Sequence, residues 1–248
     1  MSKIVILGAG IAGHTAARHL HTLLPAEHQI VVVSPNPEWN WVPSNVWVGV
    51  GQMAEKEVTF DLAEIYKKTR IDFKQAKGIA IHPEGSSTQA KPHVTIESTL
   101  SSTAGQMESI EYDYLINATG PKLNFGATEG LGPDHGHTVS VYTAAHASEA
   151  NHKLQIIIQA LKRCEKKTIV IGTGHGTCTC QGAAFEYIYN VECKNYEITG
   201  QNCNLQFSLN YKKYYTLAIS AFRTRLSRLP GKPSSHICQC CRQSPAWT

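Results

Sequence analysis

The sequence has no apolar run near the roughly 20 residues that a membrane-spanning helix needs, which argues against an integral membrane protein. No cysteine precedes Cys164, and all eight lie between Cys164 and Cys241. Disulfide-stapled secreted domains are small and distribute their cysteines throughout, so that class is excluded as well. Charged residues are sparse at 17%, against 42% hydrophobic, which is the balance of a core-forming globular chain and not of a disordered one. The opening "MSKIVILGAG" runs straight into a strand pattern. It leaves no room for a signal peptide, and the expectation is a cytoplasmic chain.

What charge there is lies unevenly. From Lys194 onward eight Lys/Arg face one acidic residue, a net +7, while the preceding part nets −3. At 248 residues the chain is long enough for one large or two small domains, each with a real core.

"KIVILGAGIAGHTAARHL" is a β-branched run, then Gly8-x-Gly10-x-x-Gly13, then a helical pattern. Gly8 permits the tight turn, Gly10 lets the backbone approach a diphosphate, and Gly13 lets helix and strand pack closely. Ala9 lies within the same turn. The diphosphate belongs at the positive end of the helix. "QIVVVSP" follows at the distance of a second strand, which makes the motif a dinucleotide site and not a bare turn. An acidic residue usually ends that strand and binds ribose. Here Ser34 stands there with Asn36 nearby, and the serine is either a neutral ribose partner or a turn former before Pro35.

"WNWVPSNVWVGVGQ" (39–52) is too apolar for an ordinary exposed loop. It reads as a hydrophobic plug or as the lining for a flat ring system, with Pro43, Ser44 and Asn45 supplying backbone contacts. Residues 60–83 read as a helix, a third parallel strand and an extension into a smaller sheet. "HVTIES" and "IEYDYLINATG" suggest hairpin strands, the last returning to the main sheet and ending in Ala118-Thr119-Gly120. Further on, "TIVIGTGHGTCTCQGAAFEYIYN" repeats strand, glycine loop and helix, with Cys178 and Cys180 at the helix start and Thr177 in place of a third glycine. A helix N-terminus favours thiolate, the nucleophilic form. Cys-x-Cys is poor metal-ligand spacing, so no metal is expected there.

These features together resemble the FAD-dependent pyridine nucleotide-disulfide oxidoreductases. "VPSNVWVGVG" and "YDYLINATGPKL" are similar to the sulfide:quinone oxidoreductase branch and its flavocytochrome c sulfide dehydrogenase relatives. The resemblance runs from Met1 to about Cys193. It implies an α/β fold of Rossmann-like doubly wound parallel sheets and FAD at the first glycine loop. Ala118, Thr119 and Gly120 would close over that cofactor, and Lys77 would touch adenine through backbone atoms. Cys180, which precedes "QGAAFEY", matches the redox cysteine of the family, and Cys178 is an extra thiol. The family's earlier cysteine has no evident counterpart, since Tyr142 stands near its place.

The resemblance implies sulfide or another small thiol as donor, quinone as acceptor, peripheral membrane association in full-length relatives and room for a homo-oligomer. The family's chains run well beyond this length, and its C-terminal half is not recognisable here. The expected layout is an FAD domain at 1–125 with a small antiparallel sheet near 78–112, a partial second dinucleotide domain at 126–193, and an atypical, poorly ordered tail at 194–248. "RTRLSR" and "HICQCC" in that tail are too short and isolated to indicate nucleic-acid or metal binding. Two further readings stay open: a flavin-dependent NADH dehydrogenase, and a non-catalytic flavin-binding fragment.

Overall fold

A computed structural model describes residues 1–133, 136–173, 180, 182–199 and 205–210. Its elements follow in chain order. Strand β1 (Lys3–Leu7) leads into helix α1 (Ile11–Leu23), then strands β2 (Gln29–Ser34) and β3 (Glu38–Asn40). Short helices α2 (Asn45–Val48) and α3 (Glu55–Val58) precede β4 (Thr59–Asp61) and α4 (Leu62–Tyr66). The long strand β5 (Ile71–His82) is followed by β6 (His93–Ser98), β7 (Met107–Glu111) and β8 (Tyr114–Asn117). Helix α5 (Ala144–Lys162), strand β9 (Lys167–Gly172), helix α6 (Gly182–Thr199) and strand β10 (Leu205–Asn210) complete the description.

The chain divides into two compact units. The first comprises Met1–Trp41 and Thr59–Leu123, the second Val42–Val58 and the described residues from Asn124 onward.

The first unit is built on one six-stranded sheet in the order β7-β6-β5-β2-β1-β8. β1 pairs in parallel with both β2 and β8, and β2 with β5. Side chains alternate across a strand, so a sheet covered on both faces needs apolar residues at every position. "KIVIL" and "IVVV" have that pattern. Ile4, Ile6, Ile30 and Val32 pack on one face with Ala17 of α1 and with Leu62 and Tyr66 of α4. Val5, Leu7, Val31 and Val33 pack on the other with Val94, Ile96 and Ile110.

The second face is therefore covered by the sheet itself. β5 pairs in parallel with β2 as far as Gln75, then continues antiparallel to β6 from Ala76, with an irregularity between Gly78 and Ala80. β6 and β7 extend that arm, and the sheet curls back over its own face. The small antiparallel sheet expected from the sequence is present as a continuation of the main sheet.

In the second unit, β9 and β10 pair in parallel, flanking α6 in the sequence. Ile171 packs with Leu154 and Ile158 of α5, with Ala184, Ile188 and Val191 of α6, and with Val50 from the 42–58 excursion. Regular structure continues past the boundary expected at Cys193. Cys193 is buried inside α6, which runs on to Thr199, and β10 then continues the strand–helix alternation for one more strand. The apolar phase of the helix outlasts the change in charge. Cys178 and the stretches "RTRLSR" and "HICQCC" lie outside the described residues.

Candidate functional site

In the first unit the β1–α1 turn is shaped by contacts its glycines alone permit. Gly8 has φ +97°, and a Cβ there would run into the Ala118 carbonyl. A Cβ on Gly13 would collide with the Gly8 carbonyl oxygen. Gly10 differs. It precedes α1 in extended conformation, φ −70° and ψ −166°, and a Cβ there meets nothing within 4 Å.

Gly10 is exposed and gives no side-chain cap, and the first turn of α1 holds no acidic residue. The leading N–H groups of a helix have no intrahelical partner and present partial positive charge. The open space at Gly10 and the uncapped helix end form a cradle for an anionic group. Ala9 is buried beneath it.

β8 brings its C-terminal turn to the same place. The Ala118 N–H donates to the Leu7 carbonyl at 2.7 Å. Thr119 donates to Asn117 Oδ1 through its hydroxyl at 2.9 Å and its N–H at 3.3 Å. Gly120 has φ +69° and open space where a Cβ would stand. Asn117 was not singled out from the sequence. Its signal is an Asn directly before a turn, where the short amide bonds the chain two residues on.

Ser34 ends β2 almost fully buried. Its hydroxyl donates to the Asn36 carbonyl at 3.2 Å and accepts from the Asn36 N–H at 3.3 Å. The pair forms a local turn, and Asn36 is exposed. Lys77 is exposed on β5 opposite Glu97, beyond the last residue paired with β2.

His14, also missed in the sequence, faces from α1 into an aromatic cluster. Its Nδ1 lies 2.9 Å from the Tyr66 hydroxyl, and its ring contacts Trp39 and Phe60. Burial, and secondarily the Arg18 charge, hold His14 below the ordinary imidazole range. Burial pushes Tyr66 up to about 12.

In the second unit Pro43 is exposed and Ser44 leads into α2. Asn45 is fully buried, and its Nδ2 donates to the Tyr142 carbonyl at 2.8 Å. Tyr187 on α6 donates to the Gly49 carbonyl at 3.0 Å, and burial pushes its hydroxyl up to about 12. A Cβ on Gly49 would stand 2.8 Å from the Tyr187 ring. Those contacts make segment 42–58 part of the second unit's packing.

Cys180 is exposed just before α6, and its carbonyl accepts from the Ala183 N–H at 3.4 Å. It therefore lies two residues before the first residue of α6, with its thiol free. Glycine loop and thiol are thus each found at the start of a helix that follows a parallel strand.

A family model described as pyridine nucleotide-disulphide oxidoreductase matches residues 2–192. A sulfide-quinone reductase of Aquifex aeolicus is 31% identical over 184 residues, 74% of this chain and 37% of that protein. An external alternative NAD(P)H-ubiquinone oxidoreductase, B1, mitochondrial, of Solanum tuberosum is 23% identical over 78% of this chain and 34% of its own length. Among solved structures, the sulfide:quinone oxidoreductase of A. aeolicus superposes with a TM-score of 0.68 at 27% identity, covering 91% of this chain and 49% of that one. NDH2 of Plasmodium falciparum, solved with NADH, shares the fold with a TM-score of 0.60 at 16% identity, over 90% of this chain and 46% of its own. The chain spans between a third and half of the length of these proteins.

Proposed function

The chain belongs to the pyridine nucleotide-disulphide oxidoreductase family, and on that premise we propose that it is a flavin-dependent oxidoreductase of the sulfide:quinone type. The observation that carries this reading is the free, exposed thiol of Cys180 two residues before the start of α6. An exposed thiol is accessible to an incoming sulfur species and suits sulfur uptake. The sulfide-quinone reductase of A. aeolicus, similar over three quarters of the chain, supports the choice of substrate class.

The residues present fit FAD. The uncapped first turn of α1 and the open space at Gly10 suit its diphosphate, while Thr119 and Gly120, both exposed, stand on the adjoining turn. When bound, FAD supplies a two-electron acceptor. With FAD held there as the two-electron oxidant, Cys180 would take up sulfur as a persulfide: its Sγ bonds to the incoming sulfur, two protons pass to solvent, and the two electrons are those that FAD would accept. Quinone is the terminal acceptor in this reading. Among the described residues no helix is long and apolar enough to cross a membrane, so a lipid-borne quinone would be met at the membrane surface.

The potato relative favours a second reading, in which NAD(P)H is the donor and Cys180 has no redox part. Anaerobic bleaching of the FAD-loaded protein separates the two. Sulfide should bleach the flavin absorbance, and Cys180→Ser should abolish that response. Bleaching by NADH alone, unchanged in Cys180→Ser, would overturn the proposal in favour of the second reading.

A further inference from the structure

His82 and His93 lie on the antiparallel arm of the first unit, away from the glycine turn in sequence and absent from the reading above. They are directly paired residues of β5 and β6, so they project from the same face of the sheet. Side chains directly opposed across antiparallel strands start about 5 Å apart at Cβ. Their imidazoles are stacked, with centroids 4.5 Å apart and an interplanar angle of 22°.

The buried ring of His93 has its Nδ1 2.8 Å from the Lys91 carbonyl. A carbonyl only accepts, so Nδ1 carries the proton and the neutral ring keeps its lone pair on Nε2. Ligating histidines are oriented in just this way, by giving their other N–H to a backbone carbonyl. His82 is half-buried on the adjacent strand and is the more open ring of the pair.

Glu111 is paired with His93 on the next strand. Its carboxylate is engaged by Gln89 at 3.0 Å and by Lys91 at 3.2 Å, which holds it below the usual carboxylate range and away from a ligand role. Among the described residues no group of three His, Cys, Asp or Glu is arranged to hold a metal ion. The pair alone remains, and imidazole pairs suit late divalent cations such as Zn²⁺ and Cu²⁺.

We propose that His82 and His93 form a cross-strand, two-histidine site for a late transition-metal cation, with its remaining positions filled by water. Imidazole binds a metal in the plane of its ring, so the stacked rings must open. His82 turns about its side-chain torsions while His93 stays fixed by Lys91. The bound cation clamps the end of β5 to the start of β6, where residues 83–92 join the two strands. The structure gives it no reactive partner, so its effect is on stability.

Zinc titration by calorimetry tests this on the full chain after iodoacetamide treatment, which silences accessible thiols as competing ligands. The treated parent should bind one Zn²⁺ at this pair, and its unfolding temperature should rise with zinc. His82→Ala should weaken that binding at least tenfold and remove most of the temperature rise, while the exposed control His152→Ala on α5 should leave both unchanged. His82 is only half-buried, so its truncation leaves the core of the arm in place. Absence of zinc binding by the parent, or equal binding by parent and His82→Ala, would overturn the proposal.

Discussion

Gly8, Gly10 and Gly13 share one turn but are required for different physical reasons. Gly8 and Gly13 are demanded by the protein, since a side chain at either would meet backbone. Gly10 is demanded by nothing within 4 Å, and its backbone conformation is one that any residue adopts. Gly13→Ala forces backbone apart in a packed core, for which a loss of about 1–3 kcal/mol is expected. Gly10→Val should cost no more than about 1 kcal/mol, the loss of a glycine at the cap of α1, while abolishing flavin retention. Denaturant unfolding and the absorbance of the purified proteins read the two effects separately. A Gly10→Val protein that folds and keeps its flavin would remove the glycine turn from the binding site.

At the scale of elements, α1 is held to the antiparallel β3–β4 pair and to α4 through His14. Charged neighbours near this ring are few. Arg18 follows on α1, Glu38 and Asp61 lie on β3 and β4 beside Trp39 and Phe60, and Asp61 is bonded to the Glu64 N–H at 2.8 Å. The folded pKa of His14 lies below the unfolded value of about 6.5. Between the two values the unfolded chain binds more protons than the folded one, so stability falls as pH is lowered. This contribution is fully present above about pH 6.5 and is lost as the pH falls through the folded pKa. His14→Phe keeps an aromatic ring but leaves the buried Tyr66 hydroxyl unpaired, for a loss of about 1–3 kcal/mol at neutral pH. Its stability should nonetheless decline less steeply below pH 6.5 than the parent's. Denaturant midpoints across that window provide the measurement, and parallel slopes would dissociate His14 from the acid response.

For the whole molecule the alkaline limb carries information from both units. Tyr66 in the first and Tyr187 in the second are each pushed up to about 12 by burial. Unfolded tyrosine ionises near 10, so their stabilisation is complete below about pH 10 and is lost as pH rises towards 12. Tyr187→Phe should cost about 1 kcal/mol at neutral pH through loss of the bond to Gly49. Both Tyr187→Phe and Tyr66→Phe should flatten the decline above pH 10. Equal flattening of unfolding probes reporting on both units would show that they unfold together. Flattening confined to the unit carrying the substitution would show two independent transitions, outside the two-state description.

Much of the first unit was legible in the residues themselves. Continuous β-branched runs can only be strands covered on both faces, and a glycine turn between such a run and a helix has few alternative geometries. Those are local constraints of sterics and pattern, and they identified the parallel sheet, the β1–α1 turn and the return of β8. The sequence also placed Cys180 before a helix, because strand, loop and helix alternate there in the same order. What covers the second face of the sheet was decided only in three dimensions. β5 leaves its parallel partner after Gln75 and brings Val94, Ile96 and Ile110 over Val5 and Leu7, and nothing in a local pattern encodes such a long-range contact. The same holds for Asn45 meeting Tyr142, Tyr187 meeting Gly49 and His82 stacking on His93. α6 runs past Cys193 although the charge changes there, because charge reports on the solvated face of a helix whereas its length follows the buried one. Propensity and spacing act between neighbours along the chain, while burial and hydrogen bonding join residues that only the folded backbone brings together.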